Sequence, residues 1–164
     1  MKTLYLIRHA KSSWKFPDLD DFDRPLNKRG KHDAPMMGRR LHQQGIQPDL
    51  IVSSPAERAQ RTARAVANAV DYQQFSIQYD KTLYHATDAA MQAVLSEVSD
   101  SVDTLVMVGH NPGLTDFFNR LTAHHIDNIV TTGVVAVTFS VDQWSEVQLD
   151  GTGEFLWYDY PKAK

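Results

Sequence analysis

The chain has 164 residues, a length that suits one domain built around a single core. Its 42% hydrophobic and 23% charged residues are ordinary for a globular protein, and a net charge of −3 argues against a general nucleic-acid binder. With no cysteine it has no disulfides, thiolate metal sites or cysteine nucleophiles, which agrees with a reducing compartment.

Lys2 to Arg8 lacks the pattern of a signal peptide, and no apolar run approaches the roughly 20 residues that span a membrane. A cytoplasmic protein without a membrane partner is the expectation. Any anionic substrate must then find a local positive pocket, because the molecule as a whole does not attract it.

In chain order, Thr3 to Ile7 reads as a buried strand, and Lys11 to Gly30 as one long irregular region of the kind that is often functional. Lys31 to Gln44 reads as a helix with Ala34, Met37 and Leu41 on one face and Gly45 just past its end. A strand at Leu50 to Ser53 leads into an alanine-rich helix from Ala56 to Val70, with Ser54 as cap and Pro55 at the first position. A third helix is expected from Asp88 to Val98. A strand at Thr104 to Val108 is followed by a helix capped by Asn111, opened by Pro112 and running towards Leu121. Val134 to Ser140 and Glu154 to Tyr158 read as strands, joined through the turn-rich stretch Asp150 to Gly153. This alternation predicts one α/β domain over residues 1–164.

Three segments repeat one design, an apolar strand that ends in polar residues: Leu4 to Ala10, Leu50 to Arg58 and Leu105 to Pro112. In open α/β sheets ligands bind beyond the carboxyl ends of the strands. Parallel neighbours would therefore bring Arg8, His9, Arg58 and His110 together. That set suits a phosphoryl group: arginine forks grip its oxygens, and a neutral imidazole can attack phosphorus. Arg58 falls in the first turn of its helix, where the macrodipole disfavours a cation, and its side chain should lean back towards the strand end. An anion bound there would explain the choice.

Arg8-His9-Ala10 resembles the Arg-His-Gly motif of the histidine phosphatase superfamily, also called phosphoglycerate mutase-like. Ser53 to Ala63 resembles its second motif, and Val108-Gly109-His110-Asn111 its third. Within that superfamily, the short chain and the segment Arg24 to Gly30 resemble the phosphohistidine phosphatases of the SixA-like branch. The resemblance implies a single three-layer α/β domain, with a mostly parallel central sheet and helices on both faces. It implies that His9 takes the phosphoryl group, that Arg8, Arg58 and His110 bind it, and that no metal or other cofactor takes part. Water would then release inorganic phosphate. The expected partner is a protein carrying phosphohistidine, or else a small phosphorylated molecule.

Two departures from the family pattern matter. Ala10 stands where glycine is usual. The carboxylic general acid that many members carry after the third strand has no glutamate to supply it between Leu83 and Asp88. His85 or Asp88 could donate a proton, or no donor exists, and Asp88 also reads as a helix cap. Without a strong acid, a phosphohistidine is favoured over an alkyl phosphate, whose leaving oxygen needs protonation. The alternatives are a small-molecule phosphomonoesterase or mutase of the same superfamily, and a phosphate- or phosphoprotein-binding module without catalysis. Arg24 is a possible guide for an anionic substrate, or simply a solvated residue. His124-His125 near Asp127 and the aspartates at 18, 20, 21 and 23 lack metal-site spacing. Trp144 and Trp157 are expected in the core.

Overall fold

Six strands pair into one sheet in the computed structural model, which describes residues 1–163. The strands are β1 (Lys2–Arg8), β2 (Leu50–Ser53), β3 (Gln78–Tyr79), β4 (Thr104–Gly109), β5 (Val134–Phe139) and β6 (Glu154–Asp159), in the order β3-β2-β4-β1-β5-β6. The first four strands of that order run parallel. β5 joins β1 antiparallel, and β6 joins β5 antiparallel.

Parallel connections need crossovers, and three of the four helices supply them: α1 (Lys28–Gln43), α2 (Glu57–Ala69) and α3 (Asp88–Ser96), while α4 (Gly113–Leu121) leads from β4 to the antiparallel β5. The central strands alternate their side chains between two separate cores. Leu4, Leu6, Leu105 and Met107 pack with Met91 and Leu95 of α3 and with Phe117 and Phe118 of α4. Ile7, Ile51, Val106 and Val108 pack on the other face with Met37 and Leu41 of α1 and Val66 of α2. Both faces of the sheet are thus covered, which is why β4 and β5 read as unbroken apolar runs.

Several boundaries differ from the sequence expectation. α1 starts a turn earlier, because the Asn27 side chain accepts the Gly30 N–H at 2.8 Å and caps the helix there. Ser54 accepts the Ala56 N–H at 3.2 Å, so it caps the turn before α2 and not the helix itself. Thr87 caps α3, and Asp88 becomes its first residue. α4 starts at Gly113, with Asn111 accepting from Thr115 N at 3.1 Å. Trp144 is fully buried and donates to the Val102 carbonyl at 2.7 Å, while Trp157 is only half-buried, 5.9 Å from the Tyr5 ring.

The irregular region after His9 is a strap with paired ends. Ser12 and Leu26 form an antiparallel bridge, Ser13 N–H bonds Pro25 O at 2.8 Å, and Asn27 N–H bonds Lys11 O at 3.0 Å. A Cβ on Gly30 would collide with the carbonyl oxygen of Lys11, so α1 approaches the strap closely only because residue 30 is glycine. Gly30→Ala is therefore expected to cost about 1–3 kcal/mol of stability. Denaturant unfolding of the two proteins measures this, and equal midpoints would contradict the close approach.

Candidate active site

The in-register ends of β1, β4 and β2 set the site. Arg8 pairs with Gly109, and Val108 with Ser53, so the next residues, His9, His110 and Ser54, emerge side by side. The His9 and His110 rings lie 5.0 Å apart between centroids. His9 N–H bonds the Gly109 carbonyl at 3.1 Å, which locks the two strand ends together.

His9 is buried, and its Nδ1 lies 2.8 Å from the Ala10 carbonyl oxygen. A carbonyl can only accept, so Nδ1 carries the proton and the lone pair of the neutral ring resides on Nε2. Burial pushes the His9 pKa down to about 4, helped by the nearby Arg58, Arg8 and Arg24 charges and opposed by the Ala10 bond. Burial and the neighbouring His9 and Arg58 push His110 down to about 3. Both imidazoles are neutral at physiological pH. His110 Nε2 is 2.7 Å from Ser54 Oγ.

Ala10 has no left-handed backbone, so the missing glycine costs no strain. Its N–H donates to Thr62 Oγ1 at 2.8 Å, and Thr62 in turn donates to the Arg58 carbonyl at 2.8 Å. Thr62 thereby ties the segment that carries His9 to the helix that carries Arg58.

Arg58 does meet an anion, and it comes from the strap. Its Nη1 donates to the Asp21 backbone oxygen at 2.6 Å and its Nη2 to the Asp21 carboxylate at 2.9 Å. The same carboxylate accepts from Arg24 Nη1 at 2.8 Å and from the Tyr84 hydroxyl at 2.7 Å. Burial would raise the Asp21 pKa, but the Tyr84, Arg58 and Arg24 bonds outweigh it and hold the carboxyl well below the usual range. Nothing in the sequence pattern marked Asp21 or Tyr84. Arg58 lies 37 residues from Asp21 and Tyr84 lies 63, separations at which no local pattern shows a pairing.

The other sequence candidates fall as follows. Arg8 sends Nη1 to the Ile129 carbonyl at 3.0 Å. Arg24 is neither solvated nor free to guide a ligand. It is buried, bonded to Ser12, to the Ser13 carbonyl and to Asp21, and stacked 3.3 Å over the Trp14 ring. His85 is exposed, lies 4.0 Å from the Tyr84 ring at a 40° tilt, and lines a cavity of about 300 Å³ with His110. Asp88 lines the same cavity, but its carboxylate pairs with Arg120 at 3.0 Å and accepts the Ala89 N–H at 2.7 Å. The Arg120 bond leads in lowering the Asp88 pKa, so Asp88 holds no proton at neutral pH.

Local strain gathers at this site. Among the described residues, three buried side-chain polar atoms lack a hydrogen-bond partner: Arg8 Nε, His110 Nδ1 and Thr132 Oγ1. Thr132 N–H reaches the Arg8 and His9 carbonyls, at 3.0 and 3.2 Å. Thr132 and His85 also hold left-handed backbones, at φ 62° and 57°. Such conformations cost of order 1–3 kcal/mol each and cluster where a fixed geometry matters more than stability. No group of three or more metal-ligating side chains converges among the described residues, nor does any helix there have the length and apolarity to cross a membrane.

Comparison with known proteins agrees with this geometry. The family model of the histidine phosphatase superfamily, branch 1, matches residues 4–84. An uncharacterised chloroplastic protein of Arabidopsis thaliana is 30% identical over 161 residues, 93% of this chain and 73% of its own length. The structure of a candidate phosphohistidine phosphatase SixA from Agrobacterium tumefaciens is 25% identical, covers 98% of this chain and 99% of its own, and superposes with a TM-score of 0.80. A second candidate SixA, from Nakamurella multipartitia, shares the fold at a TM-score of 0.85 and 21% identity, covering 99% and 97% of the two chains. The chain belongs to the histidine phosphatase superfamily, and its whole-length structural neighbours include proteins of the SixA-like branch.

Proposed function

We propose that this chain is a metal-independent phosphatase that removes the phosphoryl group from phosphohistidine in a protein, through phospho-His9. The observation that carries the reading is the tautomer of His9. The Ala10 carbonyl fixes Nδ1 as donor and leaves the Nε2 lone pair available, in a ring kept neutral by burial and by three arginines.

In the first step His9 Nε2 attacks phosphorus, and the P–N bond of the substrate breaks. Its electron pair goes to the leaving imidazole nitrogen, which takes a proton from solvent. In the second step water attacks phosphorus, the Nε2–P bond returns its pair to His9, and the surplus water proton goes to solvent with inorganic phosphate as product. Arg8, Arg58 and His110 bind the phosphoryl oxygens and stabilise their charge as the bonds exchange.

The proton chemistry favours the N-linked substrate. An alkoxide leaves poorly without a donor, and both Asp21 and Asp88 are held ionised. His85, which lines a cavity with His110, is the remaining group in that lining that could relay a proton there.

Two measurements test the reading. Hydrolysis of a histidine-phosphorylated protein and of p-nitrophenyl phosphate should be compared for wild type and His9→Ala, with a chelator present. Preferential loss of the N-linked phosphate is expected, with at least a hundredfold drop in the variant by the ordinary scale for a lost nucleophile, roughly 10²–10⁶. Faster hydrolysis of the ester would move the chain to the general phosphomonoesterases, and no turnover of either would make it a binding module.

The second measurement is an NMR titration of the histidines. His9 and His110 should titrate near about 4 and about 3, well below the ordinary 6.5. Between 6.5 and those values the unfolded chain binds more protons, so stability should fall as the pH drops through that window. Titration of both rings near 6.5 would contradict the neutral, buried pair.

A further inference from the structure

We propose that the residues after Ser13 and the first turn of α1 form a docking surface for an acidic region of the phosphorylated protein. This rests on the phosphohistidine reading and adds the kind of partner. The surface is an open cleft of about 560 Å³ whose lining includes Lys15, Phe16, Lys28, Arg29 and Lys31 and no carboxylate-bearing residue. That is a local excess of four positive charges in a chain with 17 basic and 20 acidic residues. Arg29 shares its charge with Asp33 at 3.4 Å. Lys15, Lys28 and Lys31 are exposed and make no ion pair among the described residues.

Two further observations point the same way. The first turn of α1 holds Lys28, Arg29 and Lys31 and no acidic residue, although cations there oppose the helix dipole. The opposition is relieved when an anionic partner sits on the cleft. Trp14, Phe16 and Leu19 are 76%, 52% and 42% exposed, so large apolar side chains crowd one short stretch of the strap. Clustered exposed apolar groups beside cations suit a protein surface better than a small phosphate ester.

The surface is mechanically joined to the catalytic centre. Ser13, which also lines the cleft, lies four residues beyond His9, and Arg24 binds its carbonyl. Arg24 also reaches Asp21, which holds Arg58. A partner seated on the cleft therefore lies against the strap that grips the phosphate-binding arginine. The aspartates at 18, 20 and 23 lie outside the lining and form no ion pair with its lysines among the described residues.

The test is the triple variant Lys15→Ser, Lys28→Ser and Lys31→Ser, three exposed side chains outside the catalytic residues, with its melting temperature checked against wild type. Hydrolysis of a glutamate-rich protein phosphorylated on histidine is compared with hydrolysis of phosphoramidate, over a range of salt concentrations. Binding of the unphosphorylated glutamate-rich protein is measured in parallel, so docking is read without catalysis. For the variant, KM for the phosphoprotein should rise about tenfold and lose its salt dependence, with kcat and phosphoramidate turnover unchanged. Binding of the unphosphorylated protein should weaken in proportion. Equal binding and equal KM for variant and wild type would overturn the docking surface while leaving the phosphohistidine reading intact. Lysine-dependent binding without N–P hydrolysis by wild type would do the reverse. Tighter binding of single-stranded nucleic acid than of the acidic protein, lost in the same variant, would also overturn the proposal.

Discussion

Parallel pairing of β1, β4 and β2 is the constraint on which the rest of the molecule depends. Only parallel neighbours end at the same edge, and the register here ends them within one residue of one another. His9, His110 and Ser54 therefore meet without any contribution from loop flexibility. The price is that each connection among the parallel strands must cross over a face of the sheet, which takes the helices α1, α2 and α3 and buries a core on either face. β5 runs the other way, so its beginning reaches the same edge, and Thr132 is held there by the Arg8 and His9 carbonyls in a left-handed conformation.

The second organising feature is charge. Arg8 is largely enclosed, Arg24 and Arg58 are buried, and both histidines are kept neutral beside them. Such a cluster needs a counter-charge, and Asp21 supplies it from a strap whose ends are paired and whose tip is not part of any strand. One carboxylate thus orders the two arginines and Tyr84 together. Tyr84 sits edge-on to the His110 ring at 5.5 Å, which carries the ordering across to the second histidine. Since the strap follows directly from Ala10, its position and that of His9 are linked through the backbone and through Thr62.

The sheet and the residues at its edge were legible in the sequence because burial on both faces leaves uninterrupted apolar runs, and because polar residues after such runs have few reasons to be there. Arg8, His9, Arg58 and His110 were found on that basis. Helix starts were less legible. Asn27 gave way to a later start because Lys28 to Gly30 carries no apolar periodicity, and Ser54 and Asn111 cap turns that only the folded chain defines. β3, with two residues, is too short for any periodic signal. Arg24, for which solvation was one reading, is buried against partners set by the path of the strap, and a charged residue in an irregular segment looks solvated until that path is known. His85 and Asp88 both line a cavity with His110, yet only the folded chain shows that Arg120 claims Asp88.

The most direct measurement is rapid acid-free quenching of the protein during turnover of a histidine-phosphorylated substrate carrying labelled phosphate, followed by peptide mapping. The expected result is one alkali-stable, acid-labile phosphoryl group per chain, on the peptide that contains His9, and none in His9→Ala. Turnover by wild type with no label on the chain, or label that persists in His9→Ala, would contradict a phospho-His9 intermediate.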